Sequence, residues 1–193
     1  MSQQLSLFAA GELPPAVDDL EGLLAGPGHL VRRPDAARLS VLVAASWRVA
    51  ALLEEFAERG LVGERVETPA GRLVARTAFS PRLQPMAARW ARGARILPPA
   101  GWRLDGPRLR LWTAAAGHCD DYGYLLPLAD DTDAGEGRWS AVGAALHDAG
   151  VPGTLVGPRA GGPAYRFTGK RLTRLAELVG GAPAGAPVRD WPA

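Results

Sequence analysis

The chain is poor in cysteine and in long apolar runs, and each shortage excludes a class of protein. Of its 193 residues only Cys119 is a cysteine, so no internal disulfide can form. No apolar run reaches the roughly 18 residues that a membrane-spanning helix needs. No basic segment precedes an apolar one near the N-terminus, where the first charge is Glu12, so a secretory signal is not expected. We therefore expect a cytoplasmic protein.

Lysine is also scarce, because Lys170 is the one lysine among 22 basic residues. Residues 1–23 hold four acids and no base, residues 24–113 hold fifteen arginines and seven acids, and residues 114–193 hold seven bases and nine acids. Arginine forks suit phosphates and base edges, which favours a nucleic-acid partner for the middle of the chain. A GC-rich coding sequence would also favour arginine over lysine, so this interpretation stays open.

A plan of helix, strand, turn and strand occurs twice. In the first copy apolar residues recur at helical spacing from Val49 to Phe56, Gly60 ends the helix, and two strand-like runs follow at 63–67 and 72–77. The second copy has Trp139 for Trp47, Gly150 for Gly60 and Arg166 for Arg76, at offsets of 92, 90 and 90 residues. The spacing predicts an internal duplication. Two unrelated αββα pieces are the alternative, because few side chains are identical.

The N-terminal segment carries the short run Gln4-Leu5-Ser6-Leu7-Phe8. Glycine and proline interrupt the surrounding residues and no helical period is visible, so 1–17 is expected to form a flexible tail. The pentapeptide resembles, at all five positions, the motif with which bacterial polymerases and repair proteins bind the sliding clamp, the β subunit of DNA polymerase III.

That resemblance implies a role for each side chain. Gln4 would hydrogen-bond at the edge of a groove on the clamp, while Leu5, Leu7 and Phe8 would fill an apolar pocket. The chemistry is reasonable by itself, since large apolar groups on so short a segment need a partner surface. The alternative is that Leu7 and Phe8 pack against their own domain.

The run Leu20-Glu21-Gly22-Leu23-Leu24-Ala25-Gly26-Pro27-Gly28 follows a possible cap at Asp18 or Asp19 and predicts a helix. It resembles the signature helix of LAGLIDADG homing endonucleases and of their non-cutting relatives, the WhiA-type regulators, with identity at Leu20, Gly22, Leu23 and Gly28. The resemblance implies an α+β fold, a duplicated antiparallel ββαββα saddle in which two such helices pack along a pseudo-twofold axis.

The predicted order of elements fits two repeats, 18–98 and 99–181, between the N-terminal tail and a disordered tail at 182–193. Strands are expected over 29–33, 38–44, 63–67, 72–77, 108–115, 122–128, 153–157 and 164–168, and helices over 47–59, 84–92, 139–149 and 170–179. A second signature helix is not recognised, because 87–101 contains neither the glycine pattern nor a carboxylate.

The cutting machinery that the resemblance implies is missing. The endonucleases hold divalent metal with an acid near the end of each signature helix, so that two ions clamp the attacking and leaving oxygens. The matching position here is Pro27, and the earlier acidic position is Ala25. We therefore expect a degenerate relative with no catalytic residue, no metal and no cofactor.

Arginines fall on one side of several predicted strands. With a period of two, Arg108, Arg110 and Trp112 would share a face, as would Arg72 and Arg76. Such a face can contact the phosphates and base edges of double-stranded DNA, although the wet face of any half-buried sheet also needs polar residues. The residues assigned to DNA binding are Arg32, Arg38, Arg72, Arg76, Arg108, Arg110, Trp112 and Arg166.

The segment 117–123, Gly-His-Cys-Asp-Asp-Tyr-Gly, allows an enzymatic alternative. His118 and Asp120 would point to one face of a strand and could support a metal-dependent nuclease, and Cys119 is a candidate nucleophile. The simpler interpretation is a polar hairpin loop. The acidic run at 130–133 lacks the spaced ligands and the final Glu of an EF-hand, and capping of the next helix explains it without calcium.

The sequence thus predicts a non-enzymatic DNA-binding protein that the replication clamp recruits through residues 4–8. Its role would lie in DNA replication or repair, or in their control, at the nucleoid, and a monomer with internal pseudo-twofold symmetry is expected. Two alternatives stay open: a DNA nuclease that uses His118 and Asp120, and a WhiA-like transcriptional regulator for which the tail is incidental.

Overall fold

A computed structural model describes residues 14–93, 95–129, 135–157 and 162–193. The predicted clamp-binding motif and the acidic run at 130–133 lie outside these ranges. No helix within them is both long and apolar enough to span a membrane.

The first half of the chain runs from a short helix to a small hairpin. Its elements are α1 (Glu21–Ala25), β1 (Gly28–Arg32), β2 (Ala37–Val43), α2 (Ser46–Glu58), β3 (Gly63–Glu67), β4 (Leu73–Thr77), α3 (Gln84–Trp90), β5 (Ala91–Arg92) and β6 (Arg95–Ile96). Turns of 3-10 helix at Val17–Leu20 and Pro81–Leu83 lead into α1 and α3.

The second half repeats that order without the hairpin. Its elements are α4 (Gly106–Ala116), β7 (His118–Asp120), β8 (Gly123–Pro127), α5 (Gly135–Asp148), β9 (Thr154–Val156), β10 (Ala164–Phe167) and α6 (Gly169–Val179), followed by a 3-10 turn at Val188–Asp190.

The two four-stranded sheets have the same connectivity. Their strand orders are β1-β2-β4-β3 and β7-β8-β10-β9, and all pairings are antiparallel. The long helix and the last strand of each sheet end 90 residues apart in the two halves, since α2 and α5 end at Glu58 and Asp148 and β4 and β10 end at Thr77 and Phe167. The predicted α+β fold with a duplicated ββαββα plan is confirmed.

One detail of the predicted duplication is wrong. At a constant spacing of 90 residues, Trp139 corresponds to position 139 − 90 = 49, which is Val49 and not Trp47. What the two helices share is a buried apolar stripe, in which Leu52 and Val142 occupy the same place. Core packing constrains that stripe, whereas a half-buried indole at a helix start can shift or be replaced.

Residues 108–115, predicted as a strand, instead form most of helix α4. The alternation of arginine and leucine that suggested a strand covers only 108–111. A helix start outweighs it: the Asp105 carboxylate accepts from the Arg108 backbone N–H at 3.0 Å, and a proline stands in the first turn. Because α4 packs along α1, the chain does contain the second central helix that the sequence failed to reveal.

Glycines in α1 bring the two central helices into close contact. A Cβ at Gly22 would lie 2.0 Å from the carbonyl oxygen of Arg108, and one at Gly26 would lie 2.5 Å from the indole of Trp112. That indole is fully buried and donates to the Pro127 carbonyl at 2.8 Å. The glycines of α1 are therefore required by helix packing.

Helix α4 also joins the two cores. Leu111 and Ala115 pack into the core of the first half, while Leu109, Trp112 and Ala114 pack into that of the second. Residues on opposite sides of one helix thus stabilise both halves.

The end of the chain is ordered, which corrects the prediction of a disordered tail at 182–193. Trp191 is 6% exposed, and its indole donates to the Gly180 carbonyl at 2.8 Å. The guanidinium of Arg110 lies 5.3 Å from the Trp191 ring. A composition rich in Ala, Pro and Gly suggested disorder, but single anchors such as Trp191 are enough to fix a short segment on a folded body.

Candidate nucleic-acid interface

Each sheet turns one face towards the helices and leaves the other open. In the first sheet, Leu39, Val41 and Ala75 point into the core beneath α2 and α3. Because side chains alternate along a strand, their neighbours point outwards. The register sets these neighbours side by side as Ser40 with Arg76 and Leu42 with Val74.

Three of the predicted DNA-binding arginines lie on this open face. Arg38 is half-buried, and its guanidinium lies 4.6 Å from the centre of the Phe79 ring. Arg76 donates two hydrogen bonds to Glu64, at 2.7 and 3.0 Å. Arg72 is exposed, two positions before Val74, and forms no ion pair with the described residues. Arg72 therefore offers an uncompensated cation.

Arg32 does not join this group. It pairs with Ala37 in the register, and Ala37 points into the core, so Arg32 lies on the helix side of β1 and is exposed beyond its edge.

In the second sheet, Arg166 lies on the open face and its charge is compensated. Its guanidinium forms an ion pair with Asp120 across β8 and lies 5.4 Å from the ring of Tyr122, which is 73% exposed. Burial acts to raise the pKa of Asp120, but the backbone N–H of Tyr122 and the guanidinium of Arg166 outweigh it and hold that pKa below its ordinary value. The pair is therefore ionised and nearly neutral as a unit.

The remaining three predicted residues lie in α4 and not on a sheet. Arg108 lies 3.5 Å from the Glu21 carboxylate, and Arg110 donates to the Val179 carbonyl at 2.8 Å. Trp112 is fully buried. Their side chains brace α4 against its neighbours, so their assignment to a DNA-binding sheet face is wrong.

A cleft of about 1010 Å³ lies where the two open faces meet, at the C-terminal ends of α1 and α4. Both halves line it. The lining includes Pro27, Leu42 and Arg72 from the first half and Ala115, Ala116, His118 and Pro127 from the second. Apolar side chains line the helix ends, the exposed Arg72 and Arg189 lie at the rim of the cleft, and the largely buried Arg48 and Asp190 complete the lining.

These helix ends do not fit a divalent cation of the kind that the sequence resemblance implies. Such ions need oxygen ligands, mostly carboxylates, whereas Ala25 and Pro27 at the end of α1 and Ala116 at the end of α4 have none on their side chains. Within the described ranges, no group of three or more His, Cys, Asp or Glu is arranged to hold a metal ion.

A buried arginine stands at the end of α4 instead. Arg48 of α2 is 3% exposed and donates to the carbonyl oxygens of Thr113 at 3.2 Å, Ala114 at 2.9 Å and Gly117 at 2.6 Å. Burial lowers its pKa, and the Asp190 carboxylate at 3.4 Å opposes that shift. Arg48 thus places a positive charge at the carbonyl end of α4 and satisfies three of its carbonyl oxygens.

Arg48 is not among the residues predicted to form the site, although the sequence contains a signal for it. Arg48 stands four residues before Leu52 and next to Val49, so it lies on the apolar stripe of α2. A charged residue at a core position of a helix indicates a buried partner, and here the partners come from the other half.

Asp190 connects the two halves beside the cleft. Its carboxylate accepts from the Trp47 indole at 3.3 Å in addition to its ion pair with Arg48, both in the first half. Its backbone carbonyl accepts from the Tyr124 hydroxyl of the second half at 3.0 Å. The neighbouring Arg189 is largely exposed and adds a cation to the lining.

The proposed nuclease pair is only partly assembled. His118 and Asp120 share a face of β7, as alternation predicts, but Asp120 is held by Arg166. Nδ1 of His118 lies 3.1 Å from the Ala116 carbonyl oxygen and donates to it. Burial, followed by the charges of Asp120 and Asp190, raises the pKa of the Cys119 thiol. A thiol kept protonated is a poor nucleophile.

The same fold occurs in the homing endonuclease I-WcaI, whose structure is solved bound to its DNA recognition sequence. The two structures align with a TM-score of 0.61 and 11% sequence identity, over 83% of this chain and 78% of that chain. The likeness establishes a homing-endonuclease-like fold. No family model matches the chain, and no curated protein matches it in sequence.

Proposed function

We propose that this chain binds double-stranded DNA across the open faces of its two sheets without cutting it, and that residues 4–8 recruit it to the bacterial sliding clamp. The observation that carries the DNA proposal is the cleft that both halves line, with an uncompensated Arg72 at its rim. The shared fold with an endonuclease whose structure is solved bound to DNA supports DNA as the partner.

The charges around the cleft favour a polyanion. Arg38, Arg72 and Arg76 lie on one sheet, and Arg48 and Arg189 line the cleft. The opposing carboxylates are fewer: Glu64 pairs with Arg76, and Asp190 pairs with both Arg48 and Arg189. Each arginine that meets a phosphate releases condensed counterions, so the affinity should fall steeply with salt. Apolar Leu42 and Val74 between these arginines suit contact with sugars and thymine methyl groups in a groove.

An anisotropy titration of a labelled 20-bp duplex tests this proposal. The chain should bind at about 50 mM salt, and Arg38→Gln/Arg72→Gln/Arg76→Gln should weaken binding and flatten the salt dependence by up to about three phosphate contacts. The matched control Arg65→Gln/Arg171→Gln/Arg174→Gln removes three exposed arginines elsewhere and should retain most of the affinity. Equal losses in the two variants would show that only net charge matters, and would refute the assigned surface.

The chain is proposed not to cut DNA, because the end of α1 has Pro27 and the end of α4 has Ala116 beside the cation Arg48. Plasmid incubated with magnesium or manganese should stay intact. Pro27→Asp alone should not restore cutting, since the other helix end also lacks an acid. If the unaltered chain cuts DNA and His118→Ala or Asp120→Ala abolishes the cutting, the nuclease alternative is established. The position of those two residues on one face of β7 supports that alternative only weakly.

Recruitment by the clamp rests on the five matching residues at 4–8. A peptide of residues 1–12 should bind a bacterial sliding clamp with micromolar affinity, since about −8 kcal/mol corresponds to roughly 1 μM. Leu7→Ala/Phe8→Ala should abolish binding, because burying such side chains contributes roughly 1.5–3 kcal/mol each. The melting temperature of the full chain should not change. A large fall in it, or unimpaired clamp binding, would mean that the segment packs on its own domain.

Together these activities would place the protein in DNA replication or repair, or in their control, at the nucleoid and as a monomer. The WhiA-like alternative predicts tight binding to particular promoter sequences and no dependence on the clamp. Competition of labelled promoter fragments against random duplex separates the two, because the leading proposal expects similar affinity for both.

A further inference from the structure

A second basic surface lies at the opposite end of the central helices from the cleft. The β5–β6 hairpin follows α3 directly, and Arg89 at the end of α3 lies 2.7 Å from both Asp18 and Glu21, at the start of α1. Glu21 also accepts from the Trp102 indole at 3.1 Å. The cleft lies at the other ends of α1 and α4, and α4 alone spans 11 residues, or about 16 Å.

Three of the four arginines at this surface form no ion pair within the described part of the chain. Residues 85–104 contain Arg89, Arg92, Arg95 and Arg103 and no acid. The nearby carboxylates of Asp18, Glu21 and Asp105 are engaged by Arg89 and Arg108. The other three arginines are exposed and form no ion pair with the described part of the chain.

The hairpin places two of these charges side by side. Arg92 and Arg95 are register partners on the two strands, and like charges directly opposite each other destabilise a strand pair. Among the described residues, the guanidinium of Arg92 binds only backbone oxygens, those of Arg89 at 2.8 Å and Ala91 at 2.9 Å. Folding therefore does not explain this pair, whereas an anionic partner would.

We infer that the surface formed by Arg92, Arg95 and Arg103 binds the phosphate backbone of a second DNA duplex. Duplex DNA carries one charge per about 1.7 Å of its axis, whereas an extended acidic peptide carries at most one per about 3.3 Å. The denser polyanion neutralises adjacent arginines better, and guanidinium forks match phosphate oxygens. With the cleft on the first duplex, one molecule would bridge two DNA segments.

A capture experiment tests the bridge with the full chain. Biotinylated 20-bp duplex on beads is saturated with protein and washed, and a labelled second duplex is added at 50 mM salt. The unaltered chain should retain the label, and Arg92→Gln/Arg95→Gln/Arg103→Gln should retain about tenfold less while still binding the beads. The control Arg65→Gln/Arg171→Gln/Arg174→Gln should behave as the unaltered chain. Equal capture by all three proteins overturns the inference.

Two further readouts keep the inference independent of the cleft. If Arg38→Gln/Arg72→Gln/Arg76→Gln binds duplex as tightly as the unaltered chain in an anisotropy titration, the proposed function has failed. The titration of that variant then measures the hairpin surface alone. If the affinity of that variant for duplex weakens about 40-fold between 50 and 200 mM salt, as three phosphate contacts require, the inference is supported. No binding overturns it.

The acidic-protein alternative and a structural role are separated in the same way. Poly-glutamate at equal charge concentration should displace the second duplex poorly. If poly-glutamate displaces the labelled second duplex more effectively than unlabelled duplex does, the partner is an acidic protein and the DNA assignment is overturned. The melting temperature of the hairpin variant should be unchanged or slightly higher, because a like-charged pair is removed. A marked fall would mean that these arginines support the fold, which also overturns the inference.

Discussion

The two halves of the molecule share one topology and differ in how their sheets display charge. The open face of the first sheet carries Arg38, Arg72 and Arg76, opposed by Glu64. The open face of the second carries Arg166, which Asp120 neutralises. A duplicated core constrains buried positions in both copies, whereas outward positions are free to diverge. Equivalent strands therefore need not contribute equally to a shared interface.

The largest expected effect concerns the contact that couples the halves. Arg48→Met should cost about 3–5 kcal/mol of unfolding free energy, because it leaves Asp190 and three carbonyl groups at the end of α4 without their buried partner. Urea unfolding measures the loss. Arg65→Met, on an exposed edge-strand position, is the control and should unfold like the original chain. Equal midpoints for both variants would show that the halves do not depend on Arg48.

The close contact between the central helices should give the next largest effect. Gly22→Ala places a methyl group 2.0 Å from a backbone oxygen of the partner helix, which cannot rotate away as a side chain would. The cost should be about 3 kcal/mol, the upper part of the usual range for overpacking. Gly181→Ala adds the same methyl group where no atom lies within 4 Å. If Gly22→Ala unfolds at the same urea concentration as Gly181→Ala, the two halves are less tightly joined than the structure shows.

DNA binding should reveal the unequal faces directly. Arg72→Gln should lower the slope of log affinity against log salt by about 0.9, the value of one phosphate contact. Arg166→Gln should lower it less, since Asp120 already neutralises that cation. Anisotropy titrations over a range of salt measure both slopes. Equal slopes would mean that the two sheets contribute alike and would remove the asymmetry from the proposed interface.

The smallest effect concerns pH. The pKa of Asp120 is lowered in the folded protein, so its contribution to stability is present above the unfolded value of about 3.9 and is lost as the pH falls through the folded value. The pair with Arg166 is partly exposed, so Arg166→Gln should remove less than about 1 kcal/mol at pH 7, and the difference should vanish as the pH falls through the lowered pKa of Asp120. Urea unfolding of both proteins from pH 7 down into acid checks this. A loss that persists in acid would show that Arg166 stabilises by packing and not by charge.

The order of elements could be read from the sequence because most of them bury a regular apolar pattern. The stripe of α2, with Phe56 at its end, and the alternation along β2 set the helix and the strand. Helix α4 could not be read in this way, because it is buried on two sides and its apolar residues face two different cores. A helix with two buried faces loses the single stripe on which periodicity depends.

The positions of site residues could be predicted only where the alternation of side chains along a strand determines them. Arg72 and Arg76 share a face in any strand, so their placement follows from spacing alone. Arg48, Asp190 and the exclusion of Arg32 depend on contacts between distant parts of the chain, which no local pattern contains. The error for Arg108, Arg110 and Trp112 followed directly from the missed helix, since one wrong period misplaces every side chain on it.

The link formed by Asp190 has a consequence for the order of events during synthesis. The first half leaves the ribosome early and can fold as a unit, yet Arg48 meets its carbonyl partners only after α4 emerges, and Asp190 only after the rest of the second half has followed. The wall of the cleft beside Arg48 is therefore completed only after both halves have been synthesised. A nascent chain that still lacks the second half would lack this wall.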